Sequence, residues 1–107
     1  MSYYLIQASY TAPAVATMVK NPQDRAAAVR PMIERVGGKL HGLWFAFGEC
    51  DIVAIAEMPD NVSATAVSMA IGSSGTMSSF RSTPLMTAAE AVEAMKKAAA
   101  VTYPAPK

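Results

Sequence analysis

The sequence predicts an α+β fold in which helices cover one face of a four-stranded antiparallel sheet. Segments with the aromatic and β-branched content of strands are interspersed with segments that begin at helix-capping residues. A tight turn of sequence Gly-Glu-Cys at residues 48–50 joins two strand segments, residues 39–47 and 52–58, into a β-hairpin. The rest of the predicted fold is organised around this hairpin.

Two further strands are predicted, one before and one after the hairpin. Residues 3–10 (YYLIQASY) have the composition of a first strand and are followed by a Thr-Ala-Pro break. Residues 76–86 form a fourth strand that is rich in serine. Because Pro84 has no N–H to donate to a ladder, this strand is expected at an edge of the sheet.

Capping residues predict four helices. Asn21 as N-cap and Pro22 at the first helical position open the second helix, and Thr87 with Glu90 forms the capping box of the last one. The predicted spans are residues 11–20, 21–36, 60–72 and 87–99. The order of elements is that of the ferredoxin-like βαββαβ arrangement with an added C-terminal helix. We expect a single domain over residues 1–102 and a proline-containing tail over residues 103–107.

Composition predicts an oligomer. Charged residues make up 16% of the chain and hydrophobic residues 52%, so some apolar surface is expected to be buried against another subunit. Both side-chain parities of the hairpin are apolar, although a sheet with helices on one side normally shows a polar face to water. The second face is therefore expected to pack on another subunit or to enclose an apolar cavity, and we expect a homo-oligomer of two or more subunits.

Several classes of function are disfavoured. The net charge is +1 and the basic residues are scattered, which does not match a nucleic-acid-binding surface. No apolar run approaches the roughly 18 residues that span a bilayer, so no membrane association is expected. The lone Cys50 and the lack of an export signal pattern predict a cytoplasmic protein. His41 is the only histidine, so we expect no metal site, and no motif indicates a cofactor.

Landmarks spread over nearly the whole chain carry a family resemblance. They are YYLIQASYT at residues 3–11, Pro22 with Arg25, Gly37-Gly38, Gly48-Glu49-x-Asp51, Glu57-x-Pro59-Asp60 and Gly72-Ser73-x-Gly75. With these the chain resembles the GYD domain family of small bacterial and archaeal proteins. The resemblance implies a dimeric α+β barrel of ferredoxin-like type and no particular reaction. Cys50 stands where the family motif has its tyrosine, so a role of that phenol is absent or transferred here.

The turn of the hairpin carries the first candidate site. Glu49 and Asp51 could place paired carboxylates at the mouth of a cleft, as in general acid–base sites. The structural alternative is an Asp that accepts backbone N–H bonds beside the turn.

The remaining candidates are aromatic and basic. His41 is either an exposed or interfacial residue or, beside a carboxylate, a proton-transfer group. Tyr10 and Trp44 could line an aromatic pocket, although aromatic residues in strands more often belong to a core or an interface. Arg25, Arg30 and Arg81 are available anion anchors, of which Arg81 on the serine-rich edge strand could bind a carboxylate bidentately, although such arginines are more often solvated or form ion pairs between subunits. The predicted ligand-binding residues are Tyr10, His41, Trp44, Glu49, Asp51 and Arg81.

These observations predict an oligomeric domain that binds a small, partly apolar molecule, in a cleft between sheet and helices or at the dimer interface. One alternative is a cofactor-free enzyme resembling the monooxygenases or isomerases of the dimeric barrel type, which rests on fold analogy alone. A second alternative is an assembly module without a ligand, in which subunit contact covers the whole second sheet face.

Overall fold

Four strands and four helices make up the computed structural model, which describes residues 1–107. In chain order they are β1 (Ser2–Tyr10), α1 (Ala12–Lys20), α2 (Arg25–Arg35), β2 (Lys39–Phe45), β3 (Ile52–Met58), α3 (Asn61–Gly72), β4 (Met77–Leu85) and α4 (Ala88–Ala98). All strand pairs are antiparallel, and the order across the sheet is β2-β3-β1-β4. The α+β architecture and its ferredoxin-like strand order are as predicted, and β4 with Pro84 lies at an edge.

Helix starts follow the predicted capping residues at α3 and α4. The Ser63 N–H donates to Asp60 Oδ1 at 2.7 Å, which begins α3. At α4 the Glu90 N–H donates to the Thr87 hydroxyl at 3.1 Å, and the Thr87 N–H donates to the Glu90 carboxylate at 3.0 Å. The reciprocal pair confirms the capping box.

Helix α2 begins three residues later than predicted. Asp24 is its N-cap and accepts from the Ala27 N–H at 3.1 Å. Asn21, the predicted cap, instead ends α1, where its N–H donates to Thr17 O at 2.9 Å. The side-chain acceptor at the start of α2 is the Asp24 carboxylate and not the Asn21 amide, so the second helix starts after Asp24. Arg25 therefore becomes the first residue of α2.

A β-bulge in β2 changes which side chains face the helices. Leu40 pairs with Ala56 while Gly42 pairs with Ile55, so one extra residue lies between them. After the bulge, Leu40 and Leu43 share the helix-covered face, and His41 lies on the other one, where it contacts Glu57. Strict alternation of side chains along the predicted strand would place Leu40 on the same face as Trp44, and His41 on the same face as Leu43. The bulge reverses this arrangement.

The two faces of the sheet differ in what covers them. On one face, side chains from β1, β2 and β3 pack against α2 and α3 in a core that consists of Tyr4, Ile33, Leu40, Ala54, Ala56, Met58, Ala64 and Val67. Along β3 every second residue is buried, and the residues of opposite parity, including Val53 and Ile55, are only half-buried. No helix covers that second surface, here called the open face.

The C-terminal helix α4 packs against little of the domain. All its residues except Ala91 are exposed, including Val92 and Met95. The chain measures 57 × 35 × 23 Å with a radius of gyration of 17.2 Å, whereas a compact domain of this length has about 13 Å. The single chain is therefore elongated.

Candidate functional site

A partly open cavity of about 390 Å³ lies between the helix-covered face of the sheet and helices α1, α2 and α3. Of the 23 residues that line it, 18 are hydrophobic. Ala8 and Ala54 form part of its floor, and Val29 of α2 and Ile71 of α3 contribute to its walls. The site is thus an apolar space beneath the helices, at the position predicted for a cleft between sheet and helices.

Small side chains on the sheet account for the space. Ala8 and Ala54 are 1% and 5% exposed, so they belong to the interior, yet each projects only a methyl group toward the helices. Helix α1 lines the cavity with Ala14, Thr17 and Met18 but has no buried residue of its own. Alanine at two floor positions therefore leaves a gap where larger side chains would have filled the core.

Polar groups are confined to a small set of lining residues. They are Thr17, Gln23, Arg25, Ser74 and Thr76. All of them except Arg25 are exposed, so they form the rim rather than the floor. Arg25 is half-buried and is the only charged residue among the lining side chains.

The rim has an ordered hydrogen-bond network near the start of α2. Gln23 Nε2 donates to Asn21 O at 3.1 Å, and Gln23 Oε1 accepts from Arg25 Nη1 at 2.7 Å. Farther along the chain, the Ser74 and Thr76 hydroxyls are 2.7 Å apart. The nitrogen and the oxygen of the Gln23 amide are thus both hydrogen-bonded, and the amide oxygen orients the Arg25 guanidinium through Nη1.

Tyr10 is the only one of the predicted ligand-binding residues that lines the cavity. Its ring stacks on Phe45, with a centroid distance of 6.2 Å and an interplanar angle of 23°. Its backbone N–H donates to Asp51 Oδ2 at 3.0 Å. Tyr10 and Arg25 thus both line the cavity, while Asp51 contacts the main chain of Tyr10.

Asp51 connects the hairpin turn to the end of β1. Besides accepting from Tyr10, it donates its own N–H to Ala8 O at 2.9 Å and accepts from the Ala46 N–H at 2.8 Å. These bonds correspond to the structural alternative, with the difference that the carboxylate bonds to β1 rather than to its own turn. Glu49 is exposed in the same turn and does not line the cavity.

His41, Trp44 and Arg81 lie on the open face, away from the cavity. His41 Nε2 is 2.9 Å from Glu57 Oε1, and its ring centroid is 5.3 Å from that of Tyr3. Trp44 is 57% exposed, and Arg81 pairs across strands with Gln7. The open face therefore collects a second group of predicted residues that cannot reach a ligand in the cavity.

The titratable groups with displaced pKa values are helix caps. Backbone N–H groups that donate to Asp60 and Glu90 lower the pKa of each carboxyl below its ordinary value. Neither residue lines the cavity, and no Asp, Glu, His or Cys does. No group of three or more His, Cys, Asp or Glu side chains is arranged to hold a metal ion.

Sequence comparison provides the family assignment. A search of curated proteins and a search of solved structures found no match. None of the helices has the length and apolar character needed to cross a membrane. Residues 4–95, which include β1 from Tyr4 onward, the other three strands and most of α4, match the model of the GYD domain. The chain therefore belongs to the GYD domain family.

Proposed function

We propose that this protein binds a small, largely apolar molecule in the cavity between its sheet and helices α1 to α3. The observation that carries the proposal is the cavity itself, whose volume of about 390 Å³ is that of a small-molecule site. Its apolar floor and walls would bury the body of a ligand, and the polar rim would orient one end. Burial of apolar surface from water is the expected driving force.

The composition of the lining favours binding over acid–base catalysis. Cofactor-free enzymes that move protons need a base within hydrogen-bond reach of the substrate. The enzyme alternative would rely on a His, Asp or Tyr side chain, and of these types only Tyr10 lines the cavity. Asp51 bonds to the backbone of β1, and His41 lies on the open face. A proton-transfer pair is thus not assembled around the cavity.

A matched pair of substitutions on α3 tests the binding site. Ala70 and Ala66 are both exposed, but only Ala70 lines the cavity. The probe is N-phenyl-1-naphthylamine, a neutral dye whose fluorescence rises in apolar surroundings. Ala70→Phe is expected to fill the entrance and weaken dye binding about tenfold or more, which corresponds to about 1.4 kcal/mol. Ala66→Phe has the same helix-propensity cost and is expected to bind the dye as the parent protein does.

The same titration can reject the proposal. Equal dye affinities in the parent protein, Ala70→Phe and Ala66→Phe would mean that the dye binds elsewhere. Absence of dye binding in all three would favour the assembly module without a ligand. Circular dichroism of each variant verifies that the helices are intact.

We further infer that the protein forms a homo-oligomer through its open face. Only ten of its 107 residues are buried, so the single chain leaves much apolar surface in contact with water. On the open face, Val53 and Ile55 are half-buried without any covering helix, and Trp44 is largely exposed. A second sheet packed against this face would bury these side chains in the manner of a dimeric α+β barrel. His41 and Arg81 would then contribute to the subunit interface.

Sedimentation velocity tests this assembly. The parent protein is expected to sediment as a species larger than 11.2 kDa at micromolar concentration. Ile55→Glu places a charge in the centre of the open face and is expected to shift the distribution toward the monomer. Thr65→Glu, an exposed change on α3, is the control and is expected to leave the distribution unchanged. A parent protein that sediments only as an 11.2 kDa species would contradict the inference.

A further inference from the structure

We propose that the ligand of the cavity is a carboxylic acid with an apolar body, and that Arg25 binds its carboxylate at the rim. This inference rests on the binding function proposed above and adds the chemical class of the ligand. It follows from the charge, the burial and the hydrogen bonds of one side chain.

Arg25 has no acidic partner within the chain. The two ion pairs of the structure are His41 with Glu57 and Lys96 with Glu93. The neighbouring Asp24 accepts instead from the Ala27 N–H as the cap of α2. Arg25 is therefore an uncompensated positive charge on the wall of an apolar cavity, and a partly desolvated cation is stabilised when an anion binds beside it.

Other arginines of the same helix have different surroundings. Arg30 Nη1 donates to Leu40 O at 2.9 Å, which ties α2 to β2. Arg35 is exposed in the last turn of α2, where a positive charge complements the helix dipole. Neither lines the cavity. Arg25, by contrast, lies in the first turn, where the helix dipole disfavours a cation, so helix stability does not account for an arginine at this position.

The guanidinium is oriented for an external acceptor. Its Nη1 donates to Gln23 Oε1 at 2.7 Å, and the Gln23 amide is itself held by the Asn21 carbonyl. This chain of bonds occupies one end of the planar group and leaves the edge formed by Nε and Nη2 without an acceptor from the chain. Two parallel N–H donors on one edge match the two oxygens of a carboxylate. The rest of the ligand would extend over the apolar floor at Ala8 and Ala54.

Octanoate and 1-octanol separate the contribution of the charge from that of the apolar chain. Both are measured by displacement of N-phenyl-1-naphthylamine from the parent protein, from Arg25→Met and from Arg35→Met. Methionine keeps an unbranched apolar side chain and removes the charge. Arg35→Met is the matched control on the same helix, because Arg35 is exposed and does not line the cavity.

The parent protein is expected to bind octanoate at least tenfold more tightly than 1-octanol, since hydrogen bonds to charged groups are worth about 1.5 kcal/mol or more. In Arg25→Met this preference is expected to vanish or reverse, because a carboxylate loses more hydration than a hydroxyl on entering an apolar site. The affinity for 1-octanol should remain within about twofold, which also shows that the variant is folded. Arg35→Met is expected to keep the preference of the parent protein.

The outcomes distinguish this inference from the function on which it rests. Equal affinity of the parent protein for octanoate and 1-octanol, or an octanoate preference that survives in Arg25→Met, would overturn the assignment of Arg25 while leaving an apolar binding site. Failure of both compounds to displace the dye, together with dye binding that Ala70→Phe does not weaken, would overturn both proposals.

Discussion

Asp51 offers the sharpest test of whether the hairpin turn has a structural role. Its Oδ2 accepts from the Tyr10 N–H at 3.0 Å, in a partly buried position where β1 ends. Asp51→Ala removes this acceptor but leaves the backbone bonds of residue 51 to Ala8 and Ala46 available. The substitution thus isolates the contribution of one carboxylate to the connection between the turn and β1.

The expected magnitude follows from the loss of one charge-assisted hydrogen bond. Such bonds contribute about 1.5–3 kcal/mol, and a partly buried N–H that loses its partner regains some hydration. We therefore expect Asp51→Ala to lower the free energy of unfolding by about 1.5 kcal/mol. With a urea m-value of about 1–3 kcal/mol/M, this loss lowers the unfolding midpoint by about 0.5–1.5 M. Asp51→Asn keeps an amide oxygen as acceptor and should lose less than half as much.

Urea unfolding monitored by circular dichroism, at one fixed protein concentration, provides the measurement. Glu49→Ala is the control, because Glu49 is an exposed carboxylate in the same turn, and its loss should change the free energy by no more than about 0.5 kcal/mol. If Asp51→Ala unfolded at the same urea concentration as the parent protein, the structural role would be refuted. That result would favour the alternative in which the Asp51 and Glu49 carboxylates form a general acid–base site.

Two further predictions concern packing and pH. A Cβ added at Gly38 would lie 2.7 Å from both Glu57 O and Met58 Sδ, so Gly38→Ala is expected to destabilise the domain by about 1–3 kcal/mol in urea unfolding. At the start of α3, the Ser63 N–H holds the pKa of Asp60 below its ordinary value of 3.8. The carboxylate therefore stabilises the fold above about pH 3.8, and this contribution is lost as the pH falls through the lowered pKa. The Tm difference between the parent protein and Asp60→Ala should accordingly shrink as the pH falls below 3.8 and through the lowered pKa.

Each of these predictions has its own control. Gly48→Ala adds a Cβ that meets no atom within 4 Å, so it should leave the unfolding midpoint nearly unchanged. A loss at Gly48 equal to that at Gly38 would show that close packing is not the cause. For the helix cap, Asp60→Asn keeps an uncharged acceptor, and the Tm difference between Asp60→Asn and Asp60→Ala should not change with pH, because neither variant titrates at this residue. A constant Tm difference between the parent protein and Asp60→Ala over the whole pH range would contradict the assignment of the carboxylate.

Local signals in the sequence were sufficient for most of the fold. The caps at Asp60 and Thr87 involve hydrogen bonds that span three residues, and the sequence alone identified both of them. Pro84 was likewise sufficient to place β4 at the edge, because a proline cannot donate within a ladder. The bulge before Gly42 was not predictable in this way, since it appears only when β2 is paired with β3. Because the extra residue of this bulge was not predicted, His41 lies on the face of the sheet opposite to the one that simple alternation gives.

The cavity could not be located from the sequence because its parts are distant in the chain. Ala8 and Ala54 lie on different strands. They form the floor of one cavity only because the fold places both of them under α1, α2 and α3. Arg25 was recognised as a possible anion anchor beside Arg30 and Arg81. The sequence favoured Arg81 because of its place on the edge strand, whereas the structure places Arg25 and not Arg81 in the cavity lining. Which guanidinium lies at the cavity depends on how the elements pack, and the local sequence does not record that.

The two proposals give the two faces of the sheet different tasks, ligand binding under the helices and subunit contact on the open face, and the predicted site residues divide between these faces. Tyr10 lines the cavity, whereas Trp44 and its neighbours on the open face are suited to contact another subunit. Asp51 does not line the cavity but accepts a hydrogen bond from the backbone N–H of Tyr10, which does. Because successive side chains of β3 point to opposite faces, a change at Ile55 can disturb assembly while Ala54 still forms the cavity floor. Ligand binding and oligomerisation should therefore respond to different single substitutions, although both depend on the same central strands.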